Sequence, residues 1–256
     1  MAGTGPIIAG GTDLIVQMRA GRNETRLIDI TNIKDAPLAV TIGPDLVELS
    51  ALASIAKIVE GLDGRLPGIA AAAQVFASLQ IRNRATIGGN LANASPAGDM
   101  IPPLVVAEAH VVVDSPSGSR RVSVNDLTTG PGSTVLEPSE WLSLVCLPLP
   151  AGEEGFIKLG GRAAMAISIV SLAWRWQRSS NGSLSGVRLA LGAVAPTVIR
   201  AYEAEAVLEG RQPTADVVAA AVDALRAEIA PIDDVRASAS YRRGVAGGLL
   251  RQALQA

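Results

Sequence analysis

The sequence predicts an α+β protein built from two domains. Segments typical of strands and of helices alternate irregularly, without the strict strand–helix–strand period of a doubly wound sheet. Two long segments around residue 180 have the pattern of neighbouring antiparallel strands, and three helical segments follow them. Hydrophobic residues make up 48% of the 256 residues and charged residues 18%, which is the balance of a folded globular protein.

The first half of the chain is expected to alternate short strands and helices. Residues 6–20 read as a strand, a turn and a helix, which begins at Thr12 or Asp13 and stops at Gly21. Strands are expected at 25–30 and on both sides of the Gly43-Pro44 turn in 39–52. Helical spacing covers 50–62 and 67–80. A short helix is expected to run into a strand over 101–115, and a second strand at 117–124 returns from it as a hairpin.

The second half begins with a Gly/Pro-rich loop over 128–140 and a strand over 141–150. The segment PAGEEG at 150–155 is the best linker candidate, so we expect one domain over residues 1–152 and another over 153–256. Strands are then expected at 166–177 and 182–194, and helices near 197–209, 214–229 (capped by Thr214) and 239–255.

Charge and hydropathy exclude several classes of function. The net charge of −2 gives no electrostatic reason to bind nucleic acid or an anionic membrane surface. Apolar stretches stay below the roughly 18 residues of a membrane span, and the N-terminus lacks the features of a signal peptide. A cytoplasmic protein is therefore expected.

The chain contains one cysteine, Cys146, and one histidine, His110. It cannot by itself form an intrachain disulfide, an iron–sulfur cluster or a structural zinc site, and no metal site is predicted. His110 lies in an expected strand, where a packed or edge-exposed histidine is favoured over a member of a catalytic triad. Redox or group-transfer chemistry must therefore come from a bound organic cofactor.

The turn AGGTDL, residues 9–14, separates an apolar strand from the start of a helix. Its glycines allow positive φ and the close approach of a ligand, and the backbone N–H groups that follow suit an anion. The same pattern fits an ordinary strand–turn–helix junction, so both interpretations remain open for this turn alone.

A second glycine-rich segment, ATIGGNLANASPAGD at 85–99, reads as a polar loop whose Gly88 and Gly89 free backbone donors. Neither turn matches G-x-G-x-x-G or the P-loop pattern. Together they predict an anion-binding surface built on backbone groups, for which a dinucleotide is the natural ligand. The polar side chains that suit phosphate or sugar oxygens are Thr86, Asn90, Ser95 and Asp99.

These motifs resemble those of a known family. AGGTDL and QIRNRATIGGNLANASPAGDMIPPL are similar to the FAD-binding medium subunit of the molybdenum hydroxylases, the flavoprotein of the carbon monoxide dehydrogenase and xanthine dehydrogenase family. The likeness continues in order through TGPGSTVLEPSEWL, FIKLGGRAAMAISIVSLA, LALGAVAPTVIRAYEAEAVLEG and DVRASASYRRGVAGGLLRQAL, and so covers nearly the whole chain. It implies a PCMH or vanillyl-alcohol-oxidase-type FAD-binding domain, followed by a smaller α+β domain of antiparallel sheet and helices.

The resemblance also implies an oxidoreductase with divided labour. This chain would hold FAD noncovalently, take electrons from [2Fe–2S] clusters and pass them to an external acceptor. A large subunit would carry the molybdenum cofactor and a small subunit the clusters, in a dimer of heterotrimers. The substrate and the acceptor remain open.

The family's functional residues can be carried over to this chain. Its two diphosphate loops fall on the two glycine-rich turns, its acid near the sugar part of the flavin falls on Asp99, and a flavin-contacting aromatic falls on Phe76. Leu142 lines the site, and Lys158 lies near the isoalloxazine, where a cation would stabilise charge on the reduced ring. The expected cofactor-binding set is Ala9, Gly10, Gly11, Thr12, Asp13, Leu14, Phe76, Thr86, Ile87, Gly88, Gly89, Asn90, Ser95, Asp99, Leu142 and Lys158.

Two departures from the family pattern matter. Many relatives carry a further strand and helix before the first turn, so the N-terminal subdomain is expected to be abbreviated. Relatives often have paired arginines and an acid where this chain has Gly161, Arg162 and Ala166, beside the reactive edge of the flavin. The alternative functions are a free-standing flavin oxidase and an assembly subunit that has lost FAD.

Overall fold

The computed structural model describes residues 5–33, 39–149, 152–162 and 164–255. The helices are α1 (Leu14–Arg19), α2 (Ile55–Leu62), α3 (Pro67–Val75), α4 (Leu79–Arg82), α5 (Ile87–Ala92), α6 (Ile101–Val106), α7 (Val124–Leu127), α8 (Tyr202–Leu208), α9 (Ala215–Glu228) and α10 (Ala239–Gln255). The strands are β1 (Ile7–Ile8), β2 (Ile28–Asp29), β3 (Val40–Ile42), β4 (Leu46–Ser50), β5 (His110–Ser115), β6 (Gly118–Ser123), β7 (Thr128–Gly130), β8 (Ser133–Thr134), β9 (Trp141–Pro148), β10 (Glu153–Gly160), β11 (Ser168–Arg178), β12 (Leu184–Gly192) and β13 (Ile199–Arg200).

The N-terminal part is built on a five-stranded antiparallel sheet with the order β3-β4-β9-β5-β6. Strand β9 pairs with β4 on one side and with β5 on the other, so it joins parts of the chain that are distant in sequence. Alternate residues of these strands, such as Leu49, Val111 and Val145, are buried in a core shared with α2, α3, α5 and α6. This alternation is the reason that the segments form strands.

The C-terminal part is a four-stranded antiparallel sheet with the order β10-β11-β12-β13. Strand β11 is buried along most of its length because both faces of the sheet are covered. Leu172 and Trp174 face a core shared with α8, α9 and α10, whereas Ala173 faces the N-terminal core, to which α3 and α6 contribute. The predicted α+β class is confirmed by these two antiparallel sheets and their helices.

Several expected boundaries of helices, strands and loops differ from those in the structure. The helix expected over 50–62, for example, begins at Ile55, after β4 has ended at Ser50. The helix expected over 67–80 is divided, because α3 ends at Val75 and Ser78 caps α4 by accepting from the N–H of Ile81 at 3.3 Å. Strand β10 begins inside the expected linker, since Glu153 pairs with Trp176 of β11; Pro150 and Ala151 lie outside the described residues. The loop expected over 128–140 contains the short antiparallel pair β7–β8.

The N-terminal strands β1 and β2 form a small parallel pair next to α1. This pair places the first glycine-rich turn directly after β1, as the sequence predicted. Within the residues that the structure describes, no helix has the length and apolar character needed to cross a membrane.

Candidate functional site

The two glycine-rich turns meet and line one cavity of about 520 Å³. Gly10 lies directly against the backbone carbonyl of Arg84, in a space where any side chain would overlap that oxygen. This close approach holds the first turn against the segment that leads into α5. The described residues of the two turns that line the cavity are Ala9, Gly10, Gly11, Thr12, Asp13, Leu14, Ala85, Thr86, Gly89, Asn90, Ala92 and Asn93.

The first turn lines this cavity and carries backbone donors without partners in the described part of the chain. The N–H groups of Gly10, Gly11, Thr12 and Asp13 have no hydrogen-bond acceptor among the described residues. Gly11 has a φ of +72°, a conformation that favours glycine, and it turns the chain from β1 into α1. A run of unpaired N–H groups in such a turn is a concave site for an anion.

The second turn differs from the expected loop, because residues 87–92 form α5. The Thr86 hydroxyl accepts from the N–H of Gly89 at 3.1 Å, and the N–H groups of Ile87 and Gly88 donate to the carbonyls of Ala53 and Ala51. The free donors expected at Gly88 and Gly89 are therefore already used within the chain. In this turn, side chains rather than backbone N–H groups are left for a ligand.

A second cavity of about 480 Å³ continues from the first. Asp13, Phe76, Asn90 and Asn93 line both, so the two cavities form one cleft. The Oδ1 atom of Asn90 is buried without a hydrogen-bond partner among the described residues, which leaves its amide short of a polar contact at the junction. Ser95 and Asp99 line the second cavity as well.

Asp99 forms a buried ion pair at the wall of the second cavity. Its Oδ2 lies 2.5 Å from Nζ of Lys158, and the hydroxyl of Ser168 donates to its Oδ1 at 2.6 Å. The side chains of Asp99 and Lys158 are only 8% and 7% exposed. Burial raises the pKa of Asp99, and the opposing effects of Lys158 and Ser168 only partly compensate. This pair joins the N-terminal part to β10 and β11.

Four expected residues lie away from the cleft lining. Ile87 and Leu142 are buried in the N-terminal core, with Leu142 opposite Val113 in the sheet. Gly88 faces Ala51, whose Cβ would lie 2.8 Å from an added side chain. Lys158 borders a neighbouring cavity of about 460 Å³ and reaches the cleft through Asp99.

The sequence interpretation placed the loop that contains Ala166 beside the flavin, but it missed the rest of the wall that the C-terminal part contributes. The available signal for these residues was the family resemblance, which includes the segments KLGGRAAMAIS and DVRASASYRR. The composition of the two segments did not by itself indicate a cleft. The missed residues that line the second cavity include Asn93, Ile167, Ser168, Ala193, Pro196, Asp234 and Arg236.

The lone histidine and cysteine lie in the five-stranded sheet. His110 pairs with Cys146 across β5 and β9, and neither lines the cleft. Burial lowers the pKa of His110 and raises that of the Cys146 thiol, so both are held neutral. The described part of the chain has no group of His, Cys, Asp and Glu side chains suited to a metal ion.

Two family models match consecutive parts of the chain. The FAD binding domain in molybdopterin dehydrogenase matches residues 3–150, and the CO dehydrogenase flavoprotein C-terminal domain matches residues 156–256. This chain belongs to the molybdopterin dehydrogenase flavoprotein family. The flavoprotein is accordingly the flavin subunit of an oxidoreductase, as its sequence motifs indicated.

Curated relatives and solved structures agree with this assignment. The flavoprotein is 32% identical to the carbon monoxide dehydrogenase medium chain of Hydrogenophaga pseudoflava, over 98% of its own length and 88% of that chain. It is 32% identical to the xanthine dehydrogenase FAD-binding subunit of Escherichia coli O157:H7, over 92% and 82% of the two chains. The solved carbon monoxide dehydrogenase from Hydrogenophaga pseudoflava that lacks the Mo-pyranopterin moiety matches with a TM-score of 0.91 at 33% identity, covering 98% of this chain and 88% of that one.

The cleft of the flavoprotein fits the cofactor of its FAD-binding domain. One end offers the unpaired N–H groups of the first turn, which suit a diphosphate. Where the two cavities meet, the Oδ1 atom of Asn90 lacks a hydrogen-bond partner among the described residues and suits a donor on the ligand. The other end has both apolar and polar walls, including Phe76, Ile167 and Asp99, which suit a flat ring system with polar edges.

Proposed function

We propose that the flavoprotein is the FAD-carrying electron-transfer subunit of a multi-subunit molybdenum hydroxylase. The observation that carries this proposal is the single continuous cleft, with free backbone donors at one end and the Asp99–Lys158 pair at the other. When bound, FAD supplies one- and two-electron redox chemistry that none of the twenty side chains provides. Electrons would enter from [2Fe–2S] clusters of a partner and leave to an external acceptor.

The residues of the cleft divide the work of holding the cofactor. The N–H groups of Gly10 to Asp13 bind the diphosphate, and the side chains of Thr86, Asn90 and Ser95 bind phosphate or sugar oxygens. Phe76 packs at the junction. Gly88, Ile87 and Leu142 act through packing behind the turn rather than by direct contact.

Asp99 and Lys158 act at the flavin end of the cleft. Asp99 fixes the ammonium group of Lys158 in the wall, and the carbonyl of Val75 accepts a further bond from Nζ at 3.4 Å. The pair carries no net charge and only Asp99 lines the cleft, so it would act on the ring end as a fixed dipole that needs no rearrangement at the moment of electron transfer. Water is kept from this point because both side chains are buried.

The partners follow from the family and from composition. One cysteine and one histidine cannot ligate a [2Fe–2S] cluster within this chain, which supports a small partner subunit that carries the clusters. Membership of the family supports a large partner subunit that carries the molybdenum cofactor. One named relative is the nicotine 6-hydroxylase medium subunit of Paenarthrobacter nicotinovorans, which is 31% identical over 97% of this chain and 88% of that subunit. The word 'medium' in its name implies that the relative also has a larger and a smaller subunit. We further propose a cytoplasmic dimer of heterotrimers.

The proposed domain boundary is residue 152, between an FAD-binding domain over 1–152 and a C-terminal domain over 153–256. The end of β9 at Pro148 and the start of β10 at Glu153 support it. The cleft lies between these two parts, because residues of both line the second cavity.

The visible absorption spectrum of the purified protein tests the proposal. We expect a flavin spectrum that disappears from the protein fraction after acid denaturation, as for a noncovalent cofactor, and copurification with molybdenum and iron–sulfur subunits when these are co-expressed. Flavin without such partners would favour a free-standing oxidase. A colourless chain that still copurifies with them would favour an assembly subunit.

A further inference from the structure

Arg242 of α10 is a buried cation with three acceptors. Its Nη1 donates to the carbonyl of Ile169 at 2.6 Å and to that of Ala193 at 3.0 Å. Its Nη2 donates to Oδ1 of Asp234 at 2.7 Å. The side chain is only 4% exposed, so these bonds are the means by which its charge is compensated.

The three acceptors lie on three separate segments of the C-terminal part. Ile169 directly follows Ser168 at the start of β11, Ala193 follows β12, and Asp234 lies in the connection between α9 and α10. Ser168, Ala193 and Asp234 all line the second cavity of the cleft. One guanidinium group therefore ties together the segments that form the C-terminal wall.

Between Ile232 and Arg236, the connection between α9 and α10 is held by polar contacts, whereas Pro231 is buried and Ala237 packs against the C-terminal core. Ile232 is 68% exposed and Val235 is fully exposed, so burial of apolar side chains does not hold these residues in place. Asp234 instead accepts from the N–H groups of Arg236 and Ala237 and from the guanidinium of Arg242. These bonds lower the pKa of Asp234 to about 2, so it stays ionised.

We propose that Arg242 is a positioning residue for the C-terminal wall of the FAD cleft. It does not line the cleft itself. It acts by fixing residues that do, at the distances that the cofactor requires: Ile167 and Ser168, the turn at Ala193, and Asp234 with Arg236. The geometry of Ser168 also determines how Asp99 is held, because the Ser168 hydroxyl bonds the Asp99 carboxylate. This inference rests on the proposed FAD function of the cleft.

The test compares Arg242→Met with Arg243→Met in the full chain. Arg243 is the matched control, since it is on the same helix and makes a single contact with the carbonyl of Ile229, at 3.5 Å. FAD is first removed from each protein. Titration with FAD then gives the dissociation constant of the cofactor, and limited proteolysis gives the rate of tryptic cleavage after Arg236. We expect Arg242→Met to weaken FAD binding about tenfold or more, because charge-assisted bonds are lost, and to accelerate cleavage after Arg236. Arg243→Met should change neither.

Conservative variants keep the test informative. Arg242→Lys retains the charge but not the forked geometry, so it should give values between those of the wild type and Arg242→Met. If Arg242→Met does not fold, Arg242→Gln, which keeps a polar side chain that can donate to one acceptor, should show the same two changes to a smaller degree. Asp234→Asn cannot replace it, because Asp234 also bonds Arg236 directly at 2.9 Å. Unchanged affinity and cleavage in the folded variants would overturn the proposal. A wild type that binds no FAD would instead contradict the proposed function, and the cleavage rates would still test the role of Arg242 in the wall.

Discussion

Gly88 and Gly89 are neighbours in α5 with opposite surroundings. An added side chain at Gly88 would lie 2.8 Å from both the Cβ and the carbonyl oxygen of Ala51, inside the core. Gly89 is exposed to the first cavity, where only the Thr86 hydroxyl lies close. At the scale of single residues, one glycine is therefore required by packing, whereas the other borders the cavity that we propose for the cofactor.

We expect Gly89→Val to abolish FAD binding while the chain remains folded, because the new side chain fills the cavity. Gly88→Val should instead destabilise the fold by about 1–3 kcal/mol or more through overpacking. Flavin absorbance per mole of protein and urea unfolding distinguish the two variants. Stoichiometric flavin in Gly89→Val would contradict the assignment of this turn to the cofactor site.

The buried Asp99–Lys158 pair permits a second residue-scale prediction. Removing either charge leaves the other buried without a partner, which costs about 3–5 kcal/mol. Asp99→Asn and Lys158→Met should each lower the free energy of unfolding by an amount near this range, and the double variant by less than the sum of the two. Urea unfolding of the four proteins gives the coupling. Additive losses would mean that the pair is not formed in solution.

At the scale of elements, the hairpin β5–β6 holds the segment that follows β8. Arg120 of β6 makes two bonds of 2.7 Å to the carboxylate of Glu140, and it also donates to the carbonyl of Val135. Glu140 lines the first cavity, so this contact connects a surface hairpin to the cleft. Bonds from Arg120 and from the N–H of Glu137 lower the pKa of Glu140 to about 2.

The depressed pKa of Glu140 predicts a defined pH dependence. The ionised carboxylate stabilises the fold above its ordinary pKa of 4.5, and this contribution is lost as the pH falls towards about 2. The difference in unfolding free energy between the wild type and Glu140→Gln should be constant above about pH 5 and should shrink at lower pH. Urea unfolding across this range measures it. Glu60→Gln, on the exposed surface of α2, is the control, and a trend for Glu140→Gln no larger than that of the control would contradict the prediction.

At the scale of the whole molecule, Glu108 joins the two parts of the chain. It follows α6 and bonds Arg175 of β11 at 2.7 Å and Arg188 of β12 at 2.9 Å, with Arg200 of β13 at 3.7 Å. Together with the Asp99–Lys158 pair, it fixes the C-terminal sheet against α6. The relative position of the two parts, and hence the shape of the cleft, depends on such contacts.

We expect Glu108→Gln to lower the free energy of unfolding by about 0.5–1 kcal/mol at low salt, a modest value because the glutamate is 42% exposed. The difference from the wild type should decrease in 1 M salt, since salt screens exposed charges. Thermal or urea unfolding at two salt concentrations measures it. Glu203 is an exposed glutamate of α8. If Glu108→Gln lowers the free energy of unfolding only as much as Glu203→Gln does, the contacts of Glu108 with the three arginines have no stabilising role.

The sequence by itself determined the fold class, most strands and helices, and the pairing of two glycine-rich turns. These features follow from local patterns: the spacing of apolar residues, the positions of glycine and proline, and the order of motifs. The segments around β11, β12 and α8 to α10 were predictable for this reason. The counts of cysteine and histidine also showed that redox chemistry here needs an organic cofactor.

Only the tertiary structure decided which groups face the cleft. The glycine-rich sequence indicated free donors at Gly88 and Gly89. Their N–H groups instead donate to the carbonyl of Ala51 and the hydroxyl of Thr86. The N–H groups without partners among the described residues lie in the first turn. The Asp99–Lys158 pair and the bond from Arg242 to the carbonyl of Ala193 join residues more than 45 positions apart. Hydrogen-bond partners that are distant in sequence leave no local pattern, so only the packed chain reveals them.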